Sequence, residues 1–275
     1  LFLIPLRRYF VREMHGEFPY PEATAITEVL VTGEKGGSQA KLLLQALGAV
    51  PLALALPVLP GEFGIALGGL LAWALVMVAV NFWNFMDGSN GMAASQALLV
   101  GAAAALLAAG DGPAAWLGAA TAAACLGFLP FNVPRARVFL GDVGSHALGY
   151  AVAAIGLLAL SSGAVGPATL LLLPSAFLLD AGLTLAWRLA RRQRVWRAHR
   201  EHLYQRAIAP GGSHMPVLCA YAAWTVAASL LAWATSGEPA GRQLAWLAAT
   251  LAVGACVYGW SVRRWPLMEA SPGME

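Results

Sequence analysis

Phe63-Gly64-Ile65-Ala66-Leu67-Gly68-Gly69-Leu70-Leu71-Ala72-Trp73-Ala74-Leu75-Val76-Met77-Val78-Ala79-Val80-Asn81-Phe82-Trp83-Asn84-Phe85-Met86-Asp87-Gly88-Ser89-Asn90-Gly91 joins a long apolar run to a cluster of polar side chains. Residues 63–81 hold no charge, and a helix that crosses a bilayer needs about 20 mainly apolar residues. The run therefore predicts a membrane-spanning helix. Asn81, Asn84, Asp87 and Asn90 recur at every third position. Carboxylates and carboxamides are costly near hydrocarbon, so their placement at the end of a span asks for a functional reason.

Similar windows lie near 42–59, 96–110, 113–131, 148–161, 168–187, 215–235 and 243–261, for about eight transmembrane helices in all. The expected fold is all-α, a polytopic membrane helix bundle. Composition agrees: 59% of residues are hydrophobic, 11% are charged and the mean hydropathy is +0.66, whereas a soluble domain carries about 25% charged residues. Abundant Ala and Gly suit close helix packing. Every one of the 17 Lys and Arg except Arg242 falls in the first 41 residues, the loops near 132–147 and 188–214, or the tail after 262. Positive charge marks the cytoplasmic side, so both termini and the polar loops are expected there. The net charge of +3 adds little, and no nucleic-acid module is present. Cys125, Cys219 and Cys256 all lie in apolar runs without CxxC spacing and read as buried, reduced thiols. The chain begins at Leu1 with neither an initiator Met nor a signal-peptide pattern, and reads as a fragment.

Only four aspartates occur, and two of them sit in Asn81–Gly91 and Phe139-Leu140-Gly141-Asp142-Val143-Gly144-Ser145. If the helix that begins at 63 continues through Asp87, then Asn81, Asn84 and Asp87 share nearly one face. Gly88 and Gly91 then break it and allow close backbone approach. Taken alone, such Asn and Gly residues are also ordinary C-cap residues. The loop around Asp142 is, in isolation, an ordinary Gly-Asp turn, but it faces the same side as Asp87. Mg²⁺ takes oxygen ligands, often one or two carboxylates plus substrate phosphates. Asp142 suits that role, with Asn84 as a neutral oxygen donor.

A third loop, Arg188 to Arg206, holds seven arginines and two histidines and forms an anion-binding surface. Arg191, Arg192 and Arg194 read as topology determinants or headgroup contacts. His199 and His202, with Arg206 a turn further on, suit diphosphate contacts or proton handling. A zinc site is not indicated, because no thiolate or third histidine accompanies them. Asp180, inside the preceding span, suits either helix packing or support of the site.

Together the three loops resemble the polyprenyl-phosphate N-acetylhexosamine-1-phosphate transferases of glycosyltransferase family 4, the superfamily of the phospho-MurNAc-pentapeptide translocase. The matching elements are Asn81-x-x-Asn84-x-x-Asp87-Gly88-x-Asn90-Gly91, Phe139-Leu140-Gly141-Asp142-x-Gly144-Ser145 and His199-Arg200-x-His202-x-Tyr204-Gln205-Arg206, in the family's order over 42–262. The segment Val195 to Arg200 most resembles the branch that makes surface-polysaccharide lipid intermediates. The resemblance implies a bacterial inner-membrane enzyme with Mg²⁺ at Asp142 and Asn84. It implies transfer of a sugar-1-phosphate from a UDP-N-acetylhexosamine to undecaprenyl phosphate, with release of UMP. Asp87, Asp142, His199 and His202 become catalytic residues. Asn81, Asn90, Arg200 and Arg206 become substrate-binding, with Asn90 near the uracil. A homodimer is compatible with this reading.

One departure stands out. The family carries an adjacent Asp-Asp pair on an earlier cytoplasmic loop, and this chain has no Asp-Asp. The resemblance therefore implies that the chain as written is inactive or severely impaired. Residues 4–41 resemble instead a fragment of an OPT-family oligopeptide transporter, and the junction reads as a splice between unrelated chains, with a genuine fusion as the alternative. The expected organisation is 1–41 as that cytoplasmic segment, 42–262 as the transferase domain without its N-terminal part, and 263–275 as a cytoplasmic tail. The alternatives are an oligopeptide-transporter fragment and a non-catalytic binder of nucleotide sugar or lipid phosphate.

Overall fold

The computed structural model describes residues 37–55, 62–108, 112–193, 199–208 and 212–266. The chain divides into units 1–45 and 46–275, and the site lies in the second. The transporter-like segment lies outside the described residues as far as Gly36.

Among the described residues the chain is helical and has no strand. The order is α1 (Gly37–Ala55), α2 (Glu62–Phe85), α3 (Met92–Leu107), α4 (Pro113–Asn132), α5 (Gly141–Ser161), α6 (Pro167–Leu172), α7 (Ser175–Ala190), α8 (Leu203–Ile208), α9 (His214–Ala234) and α10 (Ala240–Arg264). Five of these provide helical segments long and apolar enough to cross a membrane: Leu67–Phe85 in α2, and α4, α5, α9 and α10. The protein is an integral membrane helix bundle.

The other three expected spans are not among these five. Among the described residues, α1 and α3 provide the shorter apolar segments Gln45–Leu54 and Met92–Leu107. The window 168–187 is two helices, divided at Leu173-Pro174, because proline cannot donate to the preceding turn and its ring crowds it. Arg263 and Arg264 complete the last turn of α10. Residues 267–275 lie outside the described residues.

Small residues set the helix spacing. A Cβ on Gly149 of α5 would lie 2.6 Å from the Ala79 carbonyl oxygen and 2.7 Å from the Val80 Cα on α2. A Cβ on Gly101 of α3 would lie 2.8 Å from the Gly118 carbonyl oxygen on α4. Without a hydrophobic drive between helices in lipid, such close approach supplies the packing. Below the site, Trp83 of α2 meets Phe177 of α7 edge to face at 4.8 Å. Outward faces are apolar, with Leu70, Trp116, Leu126, Trp233 and Val253 exposed. This also corrects the cysteine expectation. Cys125 is buried, whereas Cys219 and Cys256 lie exposed on α9 and α10; an apolar thiol facing hydrocarbon gains little from moving into the bundle.

Gly149→Leu is expected to force α2 and α5 apart and to destabilise the fold by about 1–3 kcal/mol. Gly127→Leu, where the added Cβ meets nothing within 4 Å, should be close to neutral. Thermal melting of both variants in detergent checks the contrast; equal losses would refute it.

Candidate active site

The polar segments converge at one end of the bundle. Helix α2 stops at Phe85 rather than continuing through Asp87. Its last turn tightens, with Asp87 N–H donating to the Asn84 carbonyl at 3.3 Å. Gly88 N–H leaves the helix to donate to the Tyr204 hydroxyl at 3.1 Å. Asn81 and Asn84 therefore lie on α2, while Asp87 and Asn90 lie in the turn that follows. That turn closes at Gly91, whose φ of 72° is left-handed and which favours glycine. A Cβ there would also collide with the Val133 side chain.

The segment around Asp142 is likewise not a free loop. Gly141 begins α5 and Asp142 lies in its first turn, where a carboxylate is favoured by the helix dipole. Asn84 Nδ2 donates to Asp142 Oδ1 at 3.3 Å and to Ser145 Oγ at 3.0 Å. Asp87 is half-buried beside them. Burial, then repulsion from Asp142, pushes its carboxyl up from 3.8 to about 7. Among the described residues no three acidic, His or Cys side chains converge as a metal cage. A hard cation here would rest on one or two carboxylates and complete its shell with water and substrate phosphates, an arrangement Mg²⁺ tolerates.

Asn81 Nδ2 donates to the Met77 carbonyl at 2.8 Å, one turn back along α2. Asn90 is turned the other way: its Nδ2 donates to the Pro134 carbonyl at 3.0 Å. Its N–H donates to His214 Nδ1 at 3.4 Å, and Ser89 Oγ lies 3.0 Å from the same nitrogen. Asn132 Oδ1 accepts from Gly91 N–H, and its Nδ2 donates to the Val138 carbonyl at 2.7 Å. The Asn90 turn is thus tied to the segment leading into α5 and to the start of α9.

The third loop is built around Asp180, which is 2% exposed. Its Oδ1 accepts from Leu203 N–H at 2.7 Å and its Oδ2 from Tyr204 N–H at 3.1 Å. These are first-turn amides of α8, so a carboxylate on α7 caps a helix from outside it. Tyr221 donates to Oδ2 at 2.6 Å, and Thr184 donates to Oδ1 at 3.2 Å. His202 is 1% exposed, with Nδ1 3.6 Å from Asp180 Oδ1. Its ring stacks on Phe85 at 5.9 Å and on Tyr204 at 6.1 Å, and lies 4.9 Å from His199.

Tyr204 then locks this loop to the first one. Its hydroxyl donates to the Phe85 carbonyl at 2.9 Å while accepting from Gly88. Burial, and after it the charge of Asp180, hold its pKa well above the usual phenol value, so the donor proton stays in place.

The arginines divide by environment. Arg206 is buried, its Nε donating to the Glu201 carbonyl at 2.7 Å. Arg188 pairs with the Glu201 carboxylate. Arg200 is exposed. Arg191 lies over Trp187, its Cζ 4.3 Å from the ring centre. Arg194 and Arg197 lie outside the described residues. Tyr204, Tyr221, Asn132, Ser145 and His214 had no assigned role in the sequence reading. Tyr204 stood within a motif, but nothing in its spacing pointed to a partner on another helix.

Residues 36–160 match the family described as "Glycosyl transferase family 4". That match covers less than half of the chain and shows a similarity to glycosyl transferase family 4. The chain is 34% identical over 178 residues to the decaprenyl-phosphate N-acetylglucosaminephosphotransferase of Mycobacterium tuberculosis, covering 56% of this chain and 44% of that protein. It is 41% identical over 178 residues to the phospho-N-acetylmuramoyl-pentapeptide-transferase of a Synechococcus species, covering 57% and 45%. A Clostridioides difficile protein of the same name is 47% identical over 87 residues, covering 30% and 27%. The chain thus spans less than half the length of these relatives. The family region contains the Asn84–Asp142 pair.

Two measurements test the electrostatics. A carboxyl raised in the fold above its ordinary value destabilises the fold as pH climbs from about 4 through about 7. Asp87→Asn should therefore melt progressively higher than the parent between pH 5 and pH 8 in EDTA; parallel melting curves would refute this. Asp180→Asn leaves bound donors without a full acceptor, at a cost of about 1–3 kcal/mol. It should speed hydrogen exchange at Leu203 and Tyr204 while leaving α4 unchanged.

Proposed function

We propose that these residues form the nucleotide-sugar half of a polyprenyl-phosphate sugar-1-phosphate transferase of the bacterial inner membrane, with the site on the cytoplasmic side. The observation that carries this reading is the Asn84–Asp142–Ser145 contact beside Asp87. It sits on family 4 sequence, next to a histidine- and arginine-bearing loop. The relatives bear names of decaprenyl-phosphate and phospho-N-acetylmuramoyl transferases, and the same class of reaction is proposed here.

In the proposed reaction, a phosphate oxygen of undecaprenyl phosphate attacks the sugar-proximal phosphorus of a UDP-N-acetylhexosamine. A new P–O bond forms, the bond within the diphosphate breaks, and UMP leaves. Mg²⁺, when bound, would neutralise charge on that diphosphate. Asp142 presents an exposed carboxylate for it, and Asn84 orients that carboxylate while supplying a second oxygen. Asp87 lies beside it, its carboxyl held up by burial and then by the charge of Asp142, a repulsion that a bound cation would lessen. His199 and the exposed Arg200 face the anionic ligand. His202 and Arg206, both buried, act by shaping the loop that holds them. Asn81 and Asn90 are assigned to the nucleoside side, and a homodimer remains compatible.

The absence of an Asp-Asp pair leaves the acceptor phosphate without its carboxylate partners. We therefore assign this chain binding of the nucleotide sugar without efficient turnover. In calorimetry, UDP-N-acetylglucosamine should bind in Mg²⁺ and lose at least tenfold in affinity in Asp142→Ala. Mg²⁺ alone at pH 8 should raise the melting temperature of the parent but not of Asp142→Ala. Membranes given the nucleotide sugar and undecaprenyl phosphate should release little UMP. Absent binding would overturn the site; rapid UMP release lost on Asp142→Ala would overturn the assignment of inactivity.

A further inference from the structure

Away from the Asn84–Asp142 pair, a second feature has no role in the chemistry. A cavity of about 400 Å³ lies among α7, α8, α9 and α10, behind Asp180. The last two helices follow one another across a short turn yet do not pack extensively together; α9 leans mainly on α3, and α10 on α6 and α7. The space between them is lined on α9 from Ser213 to Trp224 and on α10 from Gly254 to Trp265.

Three properties define what fits. The first is depth. Each stretch advances about 16 Å at 1.5 Å per residue, which matches one leaflet of a hydrocarbon core about 30 Å thick. The second is polarity. Two of the hydroxyl groups that border the cavity are already engaged, Tyr221 with Asp180 at 2.6 Å and Tyr258 with Thr184 at 2.9 Å. The wall offered to an occupant is therefore mainly apolar. The third is access. Pro216, Ala220 and Val257 line the cavity and are also exposed on the outer faces of two spans, so the opening meets hydrocarbon. At its outer end, Arg263 and Arg264 sit exposed between the lining residues Ser261 and Trp265, where an anionic headgroup lies in a bilayer.

We propose that the α9–α10 cavity binds one acyl chain of an anionic phospholipid from the leaflet on the side of the polar loops, with its headgroup at Arg263 and Arg264. The bound chain packs against Tyr204 and Tyr221, the side chains that hold Asp180 and the α8 loop. A membrane lipid thereby supports the loop from behind, independently of any nucleotide.

Native mass spectrometry of the purified full chain tests this, with phosphatidylglycerol and phosphatidylcholine as probes. One phosphatidylglycerol should be retained per chain, about tenfold more tightly than phosphatidylcholine. Ala220→Trp should abolish retention by filling the cavity. The double variant Arg263→Gln/Arg264→Gln, which leaves the cavity intact, should weaken phosphatidylglycerol by about tenfold and leave phosphatidylcholine unchanged. Phosphatidylglycerol with dibrominated acyl chains should quench the parent more than Trp224→Phe, which removes one of the two tryptophans in the cavity wall. Equal retention of both lipids by parent and double variant would overturn the proposal. So would retention of undecaprenyl phosphate in place of phosphatidylglycerol, or quenching identical with and without Trp224. None of these readouts involves UDP-sugar binding, so failure here and failure of the transferase reading are distinguishable.

Discussion

The buried carboxylate of Asp180 is the interaction on which the active end depends. It accepts from two backbone amides of α8, from Tyr221 and from Thr184, and lies beside His202. A charge in such a place is tolerated only when its oxygens are satisfied. Here the donors come from three different helices, so burying one acid fixes the relative position of all three. Tyr204, held at its amide by Asp180, passes that constraint through its hydroxyl to Phe85 and Gly88. The end of α2 and the histidine loop are therefore one mechanical unit.

Helix spacing supplies the other half of the arrangement. Asn84 meets Asp142 because Gly149, two turns further along α5, allows that helix against the backbone of α2. In a bilayer the helix surfaces gain nothing by leaving water, so contact geometry follows small residues rather than bulk hydrophobicity. The Asn84 amide then acts twice, orienting the Asp142 carboxylate and engaging Ser145. Burial, and after it the charge of Asp142, holds the Asp87 carboxyl above the usual carboxylate range.

Much of this was legible in the sequence. Hydropathy located helices in every expected window, because long apolar runs have few other stable forms in lipid. The scarcity of aspartate singled out Asp87 and Asp142, which the structure brings together. Less legible were the limits of the elements. Residues 63 to 87 read as one helix, but the Tyr204 hydroxyl captures the Gly88 amide and ends it early. The segment at 139–145 read as a loop, yet its glycine and aspartate begin a helix. Asp180 could be weighed as packing or support, and only its list of donors separates the two.

What the sequence by itself determined is the solvent and the chemistry: a chain for hydrocarbon, with oxygen ligands and cationic side chains kept at helix ends. That follows from transfer energetics, which depend on residue type and local order. The tertiary structure alone decided which polar groups meet. Asn84 and Asp142 are 58 residues apart, and Gly88 and Tyr204 are 116 apart. Those meetings depend on how closely helices approach and where one buried carboxylate finds its donors, and no spacing along the chain encodes either.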